Sequence, residues 1–120
     1  MSNVITKQLT VLAGATTNLF TYTIPDGYAV FGFTVTAVAR ASTGGVDEAA
    51  HYETKFSVKR FNSGTPTMIG SPVPIVVNED DAGWGLNISL SGSEVIIDFV
   101  GDAAASVQVQ GELMFIRRPS

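Results

Sequence analysis

A chain of 120 residues with no cysteine and a net charge of −4 is long enough for one domain that needs no disulfide. It offers no thiolate chemistry and lacks the basic surplus of a nucleic-acid binder. Charged residues are 15% of the sequence, against about 25% in ordinary soluble domains, so much of the surface is neutral and part of it is expected to be covered by a partner. No apolar run approaches the roughly 20 residues that cross a bilayer as a helix, and Met1-Ser2-Asn3-Val4 has none of the regions of a signal peptide. The expectation is a soluble protein made in a cytoplasm, with neither a membrane nor a nucleic acid as partner.

In chain order, period-two alternation dominates. The first predicted strand, Val4 to Leu12, places Ile5, Lys7, Leu9 and Val11 on one face, and Ala13-Gly14-Ala15 ends it. A second runs from Thr17 to Ile24, with Phe20, Tyr22 and Ile24 together. Pro25-Asp26-Gly27 then makes a turn, because proline presets φ and glycine accepts a positive one. The third strand, Tyr28 to Arg40, carries Phe31, Phe33, Val35, Ala37 and Ala39 on one face. After a loop over 41–49, the strand from Ala50 to Phe61 alternates most cleanly: Tyr52, Thr54, Phe56 and Val58 point one way, and His51, Glu53, Lys55, Ser57 and Lys59 the other. One dry and one wet face is the mark of an antiparallel sheet.

Asn62 to Pro66 closes a hairpin into Met68 to Val77, where Pro72 and Pro74 restrict pairing to a sheet edge or a bulge. Glu79-Asp80-Asp81-Ala82-Gly83 is an acidic turn, and Trp84 to Leu90 alternates through Trp84, Leu86, Ile88 and Leu90. Ser91-Gly92-Ser93 leads into Glu94 to Val100, and the last strand runs from Ser106 to Ile116. About eight strands with turn signals between them predict one antiparallel β-sandwich domain over 1–120, jelly-roll-like, with connections too short for helical crossovers. Phe31, Phe33, Tyr52, Phe56, Val58, Trp84, Leu86, Ile97 and Phe99 form the predicted core.

Candidate chemistry is sparse. His51 is the single histidine. On a wet face beside Glu53 and Lys55 it reads as a surface residue, since a zinc or cupin-type site needs several converging ligands. Glu79, Asp80 and Asp81, with Asp47 and Glu48 as a second acidic group, match no calcium-loop spacing and read as solvated turns that discourage edge-to-edge pairing. No Gly-x-Ser-x-Gly motif, phosphate loop or marked carboxylate pair is present, so no catalytic residue, metal or cofactor is assigned and the chain reads as non-enzymatic. Trp84, on a face with Leu86, Ile88 and Leu90, reads as core rather than as a sugar platform. The candidate partner contacts are Tyr28, Phe61 and Met68, apolar residues at strand ends, and Arg117 and Arg118, which could form bidentate pairs with an acidic neighbour. The terminal segments Ser2 to Thr10 and Ile116 to Pro119 are expected to be arms that a partner ties down.

Several short elements recur in a familiar order: Gly44-Gly45-Val46-Asp47-Glu48-Ala49-Ala50-His51-Tyr52-Glu53, Val58-Lys59-Arg60, Gly70-Ser71-Pro72-Val73, Glu79-Asp80-Asp81-Ala82-Gly83-Trp84 and Phe99-Val100-Gly101-Asp102-Ala103-Ala104. Together, over roughly 44–116, they resemble a module of tailed-bacteriophage virion proteins, similar to segments of tail fibres and other virion surface proteins. The resemblance implies a structural protein of the virion, made in the host cytoplasm. Because the module here forms most of a short chain, the first expectation is a capsid decoration (cement) protein. It would bind the major capsid protein or other virion proteins as a homo-oligomer, dimer or trimer. The alternative is a tail-fibre or head-fibre module that binds a receptor or glycan, which requires an exposed aromatic cluster with polar neighbours. The resemblance carries no functional residues with it.

Overall fold

The structure, a computed structural model, describes residues 2–41, 48–61, 64–101 and 105–119. Among them lie nine strands: β1 (Ser2–Val11), β2 (Thr16–Thr23), β3 (Ala29–Ala41), β4 (Ala49–Arg60), β5 (Thr67–Met68), β6 (Val73–Glu79), β7 (Gly85–Ser91), β8 (Glu94–Val100) and β9 (Val107–Pro119). All pairings are antiparallel. A six-stranded sheet has the order β1-β9-β3-β4-β5, with β6 also paired to β4, and a three-stranded sheet has the order β2-β8-β7. This is the antiparallel β-sandwich that the alternation predicts. The sheets are unequal, and the molecule extends 52 × 22 × 22 Å.

Period two decides which residues lie between the sheets. The inward positions of β3 and β4 are buried from Ala29 to Ala41 and from Ala50 to Arg60, while the alternate positions are half-buried or exposed. The smaller sheet supplies Leu19, Phe20, Val95, Ile97 and Phe99 to the same core. Tyr22 of β2 sits 5.8 Å from Phe33 and 4.7 Å from Phe115, and Phe33 stacks on Phe56 at 4.8 Å. The sheets come close where Leu19 crosses Gly111: a Cβ on that glycine would stand 2.9 Å from Leu19 Cδ2.

Several expectations need correction. The run predicted as one strand from Met68 to Val77 is two, β5 and β6, interrupted at the positive-φ Gly70 and at Pro72, with a register shift beside Pro74. Met68 is not an exposed contact: it opposes Val58, is half-buried and packs on the core. Leu86 is only partly buried, because β7 is the edge of the small sheet and its inner face is incompletely covered. The opposite edge strand, β6, leaves Val73, Ile75 and Val77 about half exposed. The terminal segments are not loose arms either. β1 pairs with β9 from Ser2↔Ile116 to Val11↔Val107, and β9 continues to Pro119 against Ala29, so the fold itself secures both ends.

Candidate binding surface

Three strand ends meet at one end of the large sheet. Tyr28 precedes β3, Phe61 follows β4, and Arg117 and Arg118 lie in the last turn of the β9 ladder, where Ala29 opposes both Arg60 and Pro119. Tyr28 and Phe61 are 50% and 61% exposed, yet their rings pair with each other at 5.8 Å and an interplanar angle of 51°. The Lys59 ammonium lies 5.6 Å from the Phe61 ring. Arg118 opposes Val30 on the outer face of the large sheet. Arg117 opposes Phe31 on the inner side and places its guanidinium 5.8 Å over that buried ring. The structure thus gathers Tyr28 and Phe61 with Lys59 and Arg118 at one end of the outer face, leaves Arg117 on the inner side over Phe31, and packs Met68 against the core.

A residue with no assigned role in the sequence holds this tip in place. Arg60 is buried, donates from Nη1 to the Ile24 carbonyl at 2.7 Å, and pairs through Nη2 with Asp26 at 2.8 Å. It thereby ties the end of β4 to the Pro25-Asp26-Gly27 turn, in which Gly27 takes a positive φ of 112°. The sequence signal was its parity: Arg60 continues the inward series Tyr52, Thr54, Phe56, Val58.

At the other end the acidic turn is occupied with backbone and core. The Asp80 carboxylate accepts from the Ala49 N–H at 2.9 Å, Asp81 accepts from the Gly83 N–H at 2.7 Å, and Glu79 accepts the Tyr52 hydroxyl. Burial pushes the Tyr52 phenol well above the ordinary tyrosine value, helped by the hydrogen bond to Glu79 and by the charges of Glu79 and Asp81. Among the described residues no three metal-ligating side chains converge. Asp47 and the loop around it, like Asp102, lie outside the described residues. His51 sits on the outer face, partly covered, between Val38 and Asn78. Trp84 is 4% exposed and meets the Phe99 ring at 6.3 Å, so it belongs to the core.

A concavity that the sequence does not announce lies across β1, β9 and β3 on the outer face. It is a shallow cleft of about 590 Å³ whose floor carries Gln8, Gln108, Gln110, Val38 and Arg40. Its parts are far apart in sequence, with Gln8 opposite Gln110 and hydrogen-bonded to it, so only the β1–β9 register assembles it.

No family model matches the chain, and no curated protein matches it in sequence. Among solved structures, the tailspike protein of Acinetobacter baumannii phage AM24 matches with a TM-score of 0.59 and 10% identity, over 95% of this chain and 26% of that one. A tailspike from Acinetobacter baumannii bacteriophage Fri1, described as a capsular polysaccharide depolymerase, matches with a TM-score of 0.49 and 15% identity, over 94% of this chain and 17% of that one. The tailspike of Acinetobacter phage vB_ApiP_P1 matches with a TM-score of 0.49 and 13% identity, over 96% and 22%. The chain therefore spans about a quarter or less of each tailspike's length. Two expectations change. The reading of the chain as non-enzymatic is withdrawn, because a neighbour in this group is an enzyme. The AM24 likeness is to a tail protein, which lies nearer the tail-fibre alternative than the capsid decoration expectation. At these identities the likeness is one of fold: this β-sandwich has the architecture of a segment of the AM24 phage tailspike.

Proposed function

We propose that the chain is a tail-associated module of a tailed-bacteriophage virion whose aromatic and cationic tip contacts a polysaccharide on the host surface. The observation that carries the reading is the exposed Tyr28–Phe61 pair beside Lys59 and Arg118. Sugar rings present C–H faces that pack on aromatic rings, and their hydroxyls and carboxylates accept hydrogen bonds from Lys and Arg. Solvent-exposed aromatics held as a pair give such a ligand a preformed surface at little entropic cost. The fold shared with a tailspike over 95% of the chain supports a place in the tail. Partners are then other virion proteins together with the host glycan.

The test is a titration of the purified chain with isolated capsular polysaccharide from the host. Tyr28→Ala and Phe61→Ala should each weaken binding roughly tenfold, the usual scale for an aromatic contact residue, with the circular dichroism spectrum unchanged because both rings are exposed. Intact binding by the folded double variant would rule out the tip as the contact surface. Labelling of intact particles with an antibody to the chain should mark the tail, and a label spread over the head would return the decoration reading to first place.

A further inference from the structure

The outward face of β4 is wet, as expected, yet the outer face of the large sheet also carries exposed apolar side chains. Reading outward positions along β9 gives Glu112, Met114, Ile116 and Arg118, with Met114 42% and Ile116 63% exposed. The cross-strand registers set Thr34 beside Met114 and Gly32 beside Ile116, and on the next strand Glu53 stands level with Glu112 and Lys59 level with Arg118. On β4 the outward positions read Glu53, Lys55, Ser57 and Lys59, with the exposed Lys55 level with Met114, while along β9 they read acidic, apolar, apolar, basic. Among the described residues, Glu53, Glu112 and Arg118 have no ion-pair partner within the chain, and the floor at Gly32 is open, since a Cβ there would meet nothing within 4 Å.

That order is complementary to itself reversed. The geometry points to a dimer in which two copies stack these outer faces about a two-fold axis crossing the strands between Met114 and Ile116. Each strand then lies antiparallel over its own copy. Glu112 meets Arg118 of the second copy and Glu53 meets its Lys59, each pair occurring twice, while Met114 packs against the second copy's Ile116 and Ile116 projects toward the gap over Gly32. Packed sheets stand about 10 Å apart, a span that Glu, Arg and Lys side chains reaching from both sides can bridge. An isologous interface requires that residue i contact j while j contacts i, and the outward positions of β9 from Glu112 to Arg118 satisfy this. An apolar strip rimmed by paired charges is the general anatomy of a protein interface. The inference goes beyond the tail reading, whose test stands on Tyr28 and Phe61, whereas Lys59 and Arg118 are here engaged by the second copy.

The experiment is sedimentation equilibrium on the wild-type chain and three variants. Glu112→Lys and Arg118→Glu each place like charges opposite one another twice, and each should weaken self-association by roughly tenfold to a hundredfold. The double variant E112K/R118E restores opposite charges in both pairs and should recover dimerisation. The association should weaken with added salt, since the rim pairs are solvent-accessible. The absence of cysteine permits a second readout: chains carrying Met114→Cys mixed with chains carrying Ile116→Cys should cross-link under mild oxidation, and faster than either alone. A wild-type chain that stays monomeric at its highest soluble concentration would overturn the inference. So would a double reversal no better than the single ones, or Met114→Cys chains that link fastest to themselves.

Discussion

Phe56 is 4% exposed and lies nearly parallel to Phe33, with the rings 4.8 Å apart and 9° from parallel. Its removal deletes one half of the stack that joins β3 to β4, and Phe56→Ala should cost about 3–5 kcal/mol in chemical denaturation. A loss under about 1 kcal/mol would show that the core collapses around the gap. Gly111 acts by what it lacks. Three Leu19 carbons lie 2.9 to 3.1 Å from where its Cβ would be, so Gly111→Ala forces the two sheets or the Leu19 rotamer to move, at about 1–3 kcal/mol. Tyr52 sets a pH dependence. Its folded value is raised above the ordinary 10.0 chiefly by burial and then by Glu79, so folding favours the neutral phenol. The stability this contributes is fully present below the ordinary value and is lost as pH rises beyond it toward the folded value. Melting temperature should therefore fall progressively as pH rises above about 10, and Tyr52→Phe should flatten that fall while lowering stability at neutral pH through the lost hydrogen bond to Glu79.

At the level of elements, side-chain alternation was enough to locate β3, β4 and β8 to within a residue or two, because each has one face in the core and one in water. It failed where the backbone ladder outruns the apolar pattern. Arg117-Arg118-Pro119 looks like a solvated tail, yet β9 runs through it because β3 supplies hydrogen bonds regardless of what the side chains are. The tip was half legible. That Tyr28 and Phe61 lie at strand ends follows from local turn signals; that they touch follows from the hairpin register that sets Ala29 opposite Arg60. Parity placed Arg60 inward, but its charge masked the signal. Arg60→Ala leaves the Ile24 carbonyl without its donor and opens the end of β4, and should cost about 2–4 kcal/mol, whereas Asp26→Asn should cost under about 1 kcal/mol because Asp26 is 82% exposed. Equal losses from the two changes, measured by denaturant unfolding, would mean that the ion pair rather than the carbonyl contact carries the strut.

The whole molecule is a block whose two sheets share one core, and the connections between them are distributed along it. The chain crosses from one sheet to the other between β1 and β2, β2 and β3, β6 and β7, and β8 and β9. The aromatic cluster of Tyr22, Phe31, Phe33 and Phe115 joins β2 to the middle of the large sheet, while Phe99 of β8 meets Tyr52 and Trp84 toward the other end. Neither sheet can keep its inner face dry once the other has gone. A domain of this size with one continuous core is expected to unfold in a single cooperative step, although the large sheet has twice the strands of the small one. Phe33→Ala in the large sheet and Ile97→Ala in the small one, both almost wholly buried, should then lower one common midpoint, seen alike by Trp84 fluorescence and by the far-ultraviolet signal. Trp84 reports on the junction of the acidic turn with β7 and β8, and the far-ultraviolet signal on all strands. If Ile97→Ala splits the transition, with Trp84 becoming exposed while most strand signal persists, the small sheet is a separate unit laid on a self-sufficient large one. The tip would then survive its loss only so far as Arg60 can hold the turn at Asp26 without β2.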